Sequence, residues 1–154
     1  MHSKNPLYKD TITIFNRKSG GAKGDTWYPT VIRGVYLNID RASIIAKYGS
    51  ESQDSAVLHI PYTKIDGAIQ VAGKPYMPPK GWDQTIDSLT FNQGEKFDFF
   101  WKGEWERDIV VDSDYSDEGF YDHMNRTRDF VFAISSVAEH WGFGVLPHFE
   151  IMGR

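Results

Sequence analysis

The sequence predicts a mainly β, antiparallel single domain, on three observations. Apolar and polar side chains alternate with period two in recurring segments, beginning at Thr11-Ile-Thr-Ile-Phe15. Fourteen glycines and seven prolines are spread along the 154 residues and punctuate those segments at short intervals. Aromatic residues reach 15% of the chain, and such flat side chains suit strands, cores and interfaces.

The elements follow in order. Asp10–Phe15 reads as a strand, and Ser19-Gly-Gly-Ala-Lys-Gly-Asp25 as a turn-rich tip. Trp27–Leu37 then resumes as a second strand, interrupted at Pro29 and eased at Gly34, which makes an antiparallel hairpin. Arg41–Tyr48 places apolar residues at 44, 45 and 48 and ends at Gly49, the pattern of a short helix; 50–55 is polar. Ala56–Tyr62 is a third strand with Pro61 at its end or edge. Residues 66–84 hold three prolines, three glycines and Trp82, and read as loops around a short strand at Ala68–Val71. Leu89–Phe91 predicts another short strand, Asn92-Gln-Gly94 a turn, and Phe97–Trp105 is the most aromatic stretch. Ser116–Asp129 predicts a capped short helix with Phe120, Tyr121 and Met124 on one side. Phe130–Val137 and His148–Met152 complete the strands. No repeat, low-complexity tract or linker divides the chain, so residues 1–154 form one domain.

Composition narrows the function classes. A chain of this length hides roughly 68–70% of its unfolded surface and can build a real core. Seventeen basic against 21 acidic residues give a formal charge of -4, which disfavours a dedicated binder of nucleic acid or anionic membrane. With no cysteine there is no disulfide framework, no Cys-ligated zinc and no thiol nucleophile. No apolar run approaches the ~18 residues of a membrane span, and Met1-His-Ser-Lys-Asn-Pro6 lacks a signal-peptide apolar stretch. A soluble intracellular domain is the expectation.

No motif nominates a catalyst. The glycines at 20–24 lack a following Gly-Lys-Ser/Thr and lead into a strand rather than a helix, so they read as a hairpin tip and not a phosphate loop. Asp112-Ser-Asp114-Tyr-Ser116 begins like a calcium loop, but Asp117 stands where glycine is needed and His123 where glutamate is needed. The acidic stretch Asp108–Asp122 is therefore expected to be a solvated face. The five histidines, at 2, 59, 123, 140 and 148, have no metal-ligand spacing; His59 is expected to face outward from its strand, and His148 to sit at an edge. No Gly-x-Ser-x-Gly is present. Asn125-Arg-Thr127 matches a glycosylation acceptor, which has no meaning without secretion. No catalytic residue, metal site or cofactor is expected.

The ordered set of segments resembles the head-closure, or stopper, proteins of the tailed-bacteriophage neck, small minor capsid proteins of phages and prophages of Gram-positive bacteria. The likeness runs through Asp10-Thr-Ile-Thr-Ile-Phe-Asn-Arg17 and Asp25-Thr-Trp-Tyr-Pro-Thr-Val-Ile-Arg-Gly-Val35, then Ala42–Gly49 and Asp54–Pro61. It continues in the Tyr-x-x-Pro-x-x-Trp of Tyr76–Trp82, in Lys102-Gly-Glu104, in Ile134-Ser-Ser-Val137 and in Pro147-His-Phe-Glu-Ile-Met-Gly-Arg154. Two departures stand out: Phe149 replaces the usual Trp, and 105–130 is longer than the family pattern.

The resemblance implies a small antiparallel β-barrel with long loops and one or two short helices. It implies a virion protein, made in the host bacterial cytoplasm, that assembles as a homo-oligomeric ring of roughly six or twelve copies. The ring lies below the portal or adaptor and above the tail terminator or tail tube. It touches genomic double-stranded DNA transiently, closing the channel after packaging, and has no membrane partner. The matching channel loop is 40–55, with Arg41, Ile44, Ile45, Lys47, Tyr48 and Gly49 as gating or interface residues; Trp27, Tyr28, Trp82, His148 and Phe149 are the candidate ring or partner interface. The alternatives are another neck or tail-completion protein, or a carbohydrate-binding β-module using exposed Trp27, Trp82, Trp101 or Trp105.

Overall fold

A computed structural model describes residues 7–40, 55–142 and 144–154. The predicted hairpin is formed by β1 (Asp10–Lys18) and β2 (Thr26–Ile39). Further strands are β3 (Ala56–Pro61), β4 (Thr63–Ile65), β5 (Ala68–Val71), β6 (Lys74–Pro75), β7 (Phe99–Trp101), β8 (Val110–Val111), β9 (Val131–His140) and β10 (His148–Gly153). Hydrogen bonds run in the order β1-β7-β9-β10-β3-β2, and β2 returns to β1, so six antiparallel strands close a barrel. The seventh strand, β8, adds to the start of β2, while β4, β5 and β6 form a separate small sheet. The mainly β prediction holds, and the barrel follows from closure.

One strand makes closure possible. β2 is long enough to pair β1 with its first part and β3 with its last, from Tyr36↔His59 to Ile39↔Ala56. Between the two stretches Gly34 takes φ +74, and the β1 register slips between Asp10 and Thr11. The slip is a bulge that bends the strand around the barrel corner, at a backbone angle glycine adopts without a Cβ penalty. The Asp10 carboxylate accepts the Leu37 N–H at 3.0 Å and pins the bend.

Alternating residues fill the interior: Ile12 and Ile14, Ile32 and Leu37, Leu58 and Ile60, Phe100, Phe132 and Ile134, Phe149 and Ile151. At β10 the packing is close enough to demand glycine, since a Cβ on Gly153 would lie 2.8 Å from the Phe132 Cβ and 2.9 Å from the Phe100 ring. One end of this core is continued by Tyr62, Val71, Leu89 and Phe91, with the Tyr76 ring 4.6 Å from that of Phe149.

A second core lies outside the barrel wall. Phe15, Phe99 and Val131 point outward from β1, β7 and β9 and are buried by Trp27, Trp105, Val110, Phe120 and Met124. Residues 102–129, which hold nearly all of the long 105–130 segment, thus wrap one face of the barrel. It includes a single short α-helix, α1 (Phe120–Thr127), whose Phe120 and Met124 are the buried positions. The predicted helix start is corrected: Ser116 has φ 56 and lies in the irregular 3₁₀ segment Asp112–Glu118, so it does not cap α1. Gly119 precedes the helix without a side-chain cap, and the Phe120 N–H is taken instead by Asp112 at 3.0 Å. Leu89–Phe91 is likewise not a strand; Leu89 makes only an isolated parallel bridge to Tyr76. The predicted helix at Arg41–Tyr48 lies outside the described residues.

Candidate functional site

The residues expected to gate a channel, Arg41, Ile44, Ile45, Lys47, Tyr48 and Gly49, lie outside the described residues. The two ends of their connection are hydrogen-bonded. Asp40 N–H donates to the Ser55 carbonyl at 2.7 Å, and Ser55 N–H donates to the Gly153 carbonyl at 2.7 Å. Both ends of the β2–β3 connection are therefore tied to each other and to the end of β10.

The expected interface residues separate into two groups. Trp27 and Phe149 are core side chains, 1% and 2% exposed, and present no surface to a partner. That part of the expectation is corrected, and the cause is the wrap of 102–129 over Trp27 and the inward register of Phe149. Trp82 is also largely buried, packed edge-on against the half-buried Tyr28 at 5.8 Å. His148 is half-buried on the outer face of β10. The same burial takes three of the four candidate sugar-stacking tryptophans, Trp27, Trp82 and Trp105, off the surface, while Trp101 is half-buried. Trp105 is 8% exposed, and Trp101 lies under the Arg128 guanidinium at 4.7 Å.

The acidic stretch is only partly the solvated face expected of it. Asp112 is an internal tie: its Oδ1 accepts the Trp27 indole N–H at 2.7 Å and the Phe120 N–H, and its Oδ2 accepts the Asp25 N–H at 3.3 Å. Donors from the hairpin tip and from the start of α1 meet on one carboxylate, which is why the wrap holds its place on the hairpin tip. Asp108, Asp114, Asp117 and Asp122 are exposed.

A buried carboxylate braces the barrel. Asp98, 1% exposed, accepts the Arg17 N–H at 2.8 Å, the Asn92 N–H at 2.9 Å and the Asn16 side-chain amide at 2.8 Å. Burial pushes its pKa up to about 7, against the pull of those donors and of the Arg17 charge. The Arg17 guanidinium lies between the rings of Trp27 and Phe97, at 4.5 and 4.6 Å, and pairs with Asp25 at 3.4 Å.

Opposite the wrapped face, the outer surface of β2, β3, β10 and β9 carries a row of rings. Tyr36 stacks on His59 at 5.4 Å, His59 lies 5.3 Å from His148, and His148 stacks on His140 at 5.1 Å. Strand register brings them together: His59 pairs Tyr36 on one side and Glu150 on the other, and His148 stands directly across from His140. His59 is half-buried and faces outward, as expected. Its pKa is lowered by burial and then by His148, with Glu150 opposing. Beyond His140 the chain turns through an exposed apolar tip, with Trp141 72%, Val145 46% and Leu146 48% exposed. No common spacing links residues 59, 140 and 148, so the cluster is not legible as a motif; only the outward alternation of His59 in β3 and His148 in β10 signals it.

Among the described residues no helix is long and apolar enough to cross a membrane. No curated protein and no solved structure matches this chain. The model of one protein family matches residues 7–154, from just before β1 to the last residue, and the chain belongs to that family, a family of unknown function (DUF6751).

Proposed function

We propose that this protein is a non-catalytic structural subunit of the neck of a tailed phage, forming a ring below the portal that closes the head after DNA packaging and joins it to the tail. The observation that carries the reading is a closed barrel filled by its own side chains, with binding capacity confined to its outside. Such a barrel suits a scaffold that presents loops and faces to neighbours. The ordered segments from Asp10 to Arg154 that resemble stopper proteins supply the identity of those neighbours. Under this reading the unwrapped face of β3, β10 and β9, with the Trp141 tip, meets an adjoining subunit. The connection stemmed at Asp40 and Ser55 faces the channel.

The test is nuclease protection of packaged DNA in particles made without this protein. Heads that fill and then lose DNA, or leave it nuclease-sensitive, support head closure. Stable full heads without tails would move the protein to a joining role, and normal infectious particles would overturn the proposal. Complementation with Trp141→Ala adds a surface test, because the side chain is too exposed to matter for folding. Protection restored to the full wild-type level would remove the tip from the interface.

A further inference from the structure

Three histidines stand side by side on the unwrapped face, at the end of the barrel where β9 turns into β10. His148 is the middle one. It stands directly across from His140 of β9 with the rings stacked at 5.1 Å, and on its other side the His59 ring of β3 is 5.3 Å away. Such distances are ordinary for neighbours on adjacent strands. The residue type gives the row its chemistry, because imidazole is the side chain that changes charge between about pH 5 and 8.

Little negative charge is at hand to balance the rings. Glu150, two residues after His148 on the same face, stands across from His59 and places its carboxylate 3.7 Å from His140 Nε2. Glu139 of β9 is engaged elsewhere, accepting the Tyr62 hydroxyl at 2.9 Å. On the β2 side the row ends on Tyr36, which stacks on His59 and meets Tyr8 edge-on. One carboxylate therefore faces three imidazoles, and full protonation leaves an excess of positive charge on adjacent strands, where like charges directly opposite destabilise the pairing. The pKa of His59 is lowered, by burial first and then by His148, with Glu150 opposing. The unfolded chain thus takes up that proton more readily than the folded one. The stability involved is fully present above the ordinary value of 6.5 and is lost as pH falls through the lowered one.

The element on which the repulsion acts is lightly held. Between His140 and His148 the backbone passes Gly142 and Gly144, both at positive φ, and Trp141, Val145 and Leu146 are exposed. Its ties include the Val145 N–H to the Gly142 carbonyl at 3.3 Å and the Tyr62 N–H to the Pro147 carbonyl at 3.1 Å. His148 Nδ1 donates to the Leu146 carbonyl at 2.7 Å and keeps that proton in both charge states, so charging the ring adds repulsion and removes no bond. A hairpin end with few buried contacts opens locally at low cost. At the other end of the same strands, Ala133 and Arg154 exchange two backbone hydrogen bonds at 2.7 and 3.0 Å.

We propose that the row His59, His148 and His140 is a proton-operated switch: neutral rings hold the closed end of the β9–β10 hairpin against β3, and charged rings release it together with Trp141, Val145 and Leu146. The inference does not depend on the neck reading.

The experiment is amide hydrogen exchange, followed by NMR, on the full chain free of any affinity tag, at about pH 7.5 and about pH 5.5, with each rate corrected for intrinsic chemistry. In the wild type, protection of the Tyr62 N–H should fall by about fivefold or more at the lower pH, while that of the Ala133 N–H does not fall. Fivefold is roughly the scale of one like-charge pair at a partly exposed surface. His148→Gln removes the middle charge and should bring the fall below about twofold. His140→Gln, at an exposed position where folding is not at risk, should at least halve it. His123→Gln is the control: its ring lies against Tyr115 at 4.7 Å on the wrapped side, and the fall should persist. Asp98 titrates in the same range but is present in every one of these chains, so it cancels from the comparison. Equal protection of Tyr62 at both pH values, a fall shared by Ala133, or a fall that survives both His148→Gln and His140→Gln would overturn the proposal.

Discussion

Asp98→Asn is the most informative single substitution for the fold. Both carboxylate oxygens are occupied, Oδ1 by the Arg17 N–H and Oδ2 by the Asn92 N–H and the Asn16 amide. All three partners donate, so both positions need an acceptor, and asparagine supplies only one. Its better orientation keeps the oxygen at the Oδ2 position and sets its NH₂ against the Arg17 N–H, leaving a buried donor without a partner. Above about pH 7, where Asp98 is ionised, a hydrogen bond to its charged oxygen contributes about 1.5–3 kcal/mol, and an orphaned buried donor costs about 1–3 kcal/mol. A net loss of about 3 kcal/mol is expected, or roughly 6–12 °C in melting temperature for a domain of this size.

The pH dependence gives a second reading of the same site. The folded-state pKa is raised to about 7, above the unfolded value near 3.9, so the folded state holds the proton more tightly. The stability this provides is fully present below the unfolded value and is lost as pH rises through about 7. Asparagine has no such titration, so the gap between wild type and variant should narrow between pH 5 and pH 8. Thermal melts followed by circular dichroism at both pH values test both statements. A shift under about 2 °C at each pH would refute the hydrogen-bond argument. A gap that widens with pH would show that the three donors outweigh burial.

Two further substitutions test the packing. Gly153→Ala places a methyl 2.8 Å from Phe132 and 2.9 Å from Phe100, and should destabilise by about 1–3 kcal/mol, read as a lower urea midpoint with unchanged m-value. An unaltered midpoint would mean that β10 shifts freely, contrary to the interior packing. Asp112→Ala removes the acceptor shared by Trp27, Phe120 and Asp25 and should cost about 2–3 kcal/mol. Near-ultraviolet dichroism should weaken as Trp27 loses its fixed partner while far-ultraviolet strand signal persists; loss of both together would mean that wrap and barrel unfold as one unit.

Local chemistry determined most of the strands. Thr11–Phe15, Trp27–Leu37, Ala56–Pro61 and His148–Met152 carry their alternation in the sequence, and the glycine-rich tip 19–25 announces the first hairpin. The boundaries of α1 were less legible, because its start is set by Asp112, eight residues before Phe120, and not by a neighbouring cap. The tryptophans show the limit most clearly. A period-two pattern separates two faces of a strand but does not say which face another segment will cover, and 102–129 covers the outward side of β1 and β7. Phe15, Trp27 and Phe99 are consequently interior residues, while Trp141, just after β9, is exposed.

The sequence by itself determined where strands begin and turn, because those choices depend on side-chain alternation and on glycine and proline within a few residues. Tertiary structure alone decided the closure of β1 on β7, the burial of Asp98, the hydrogen bonds that Asp112 accepts, and the meeting of His59, His140 and His148. Each includes a contact between residues about 80–90 apart in the chain, and such pairings are selected by shared burial and strand register rather than by any local preference.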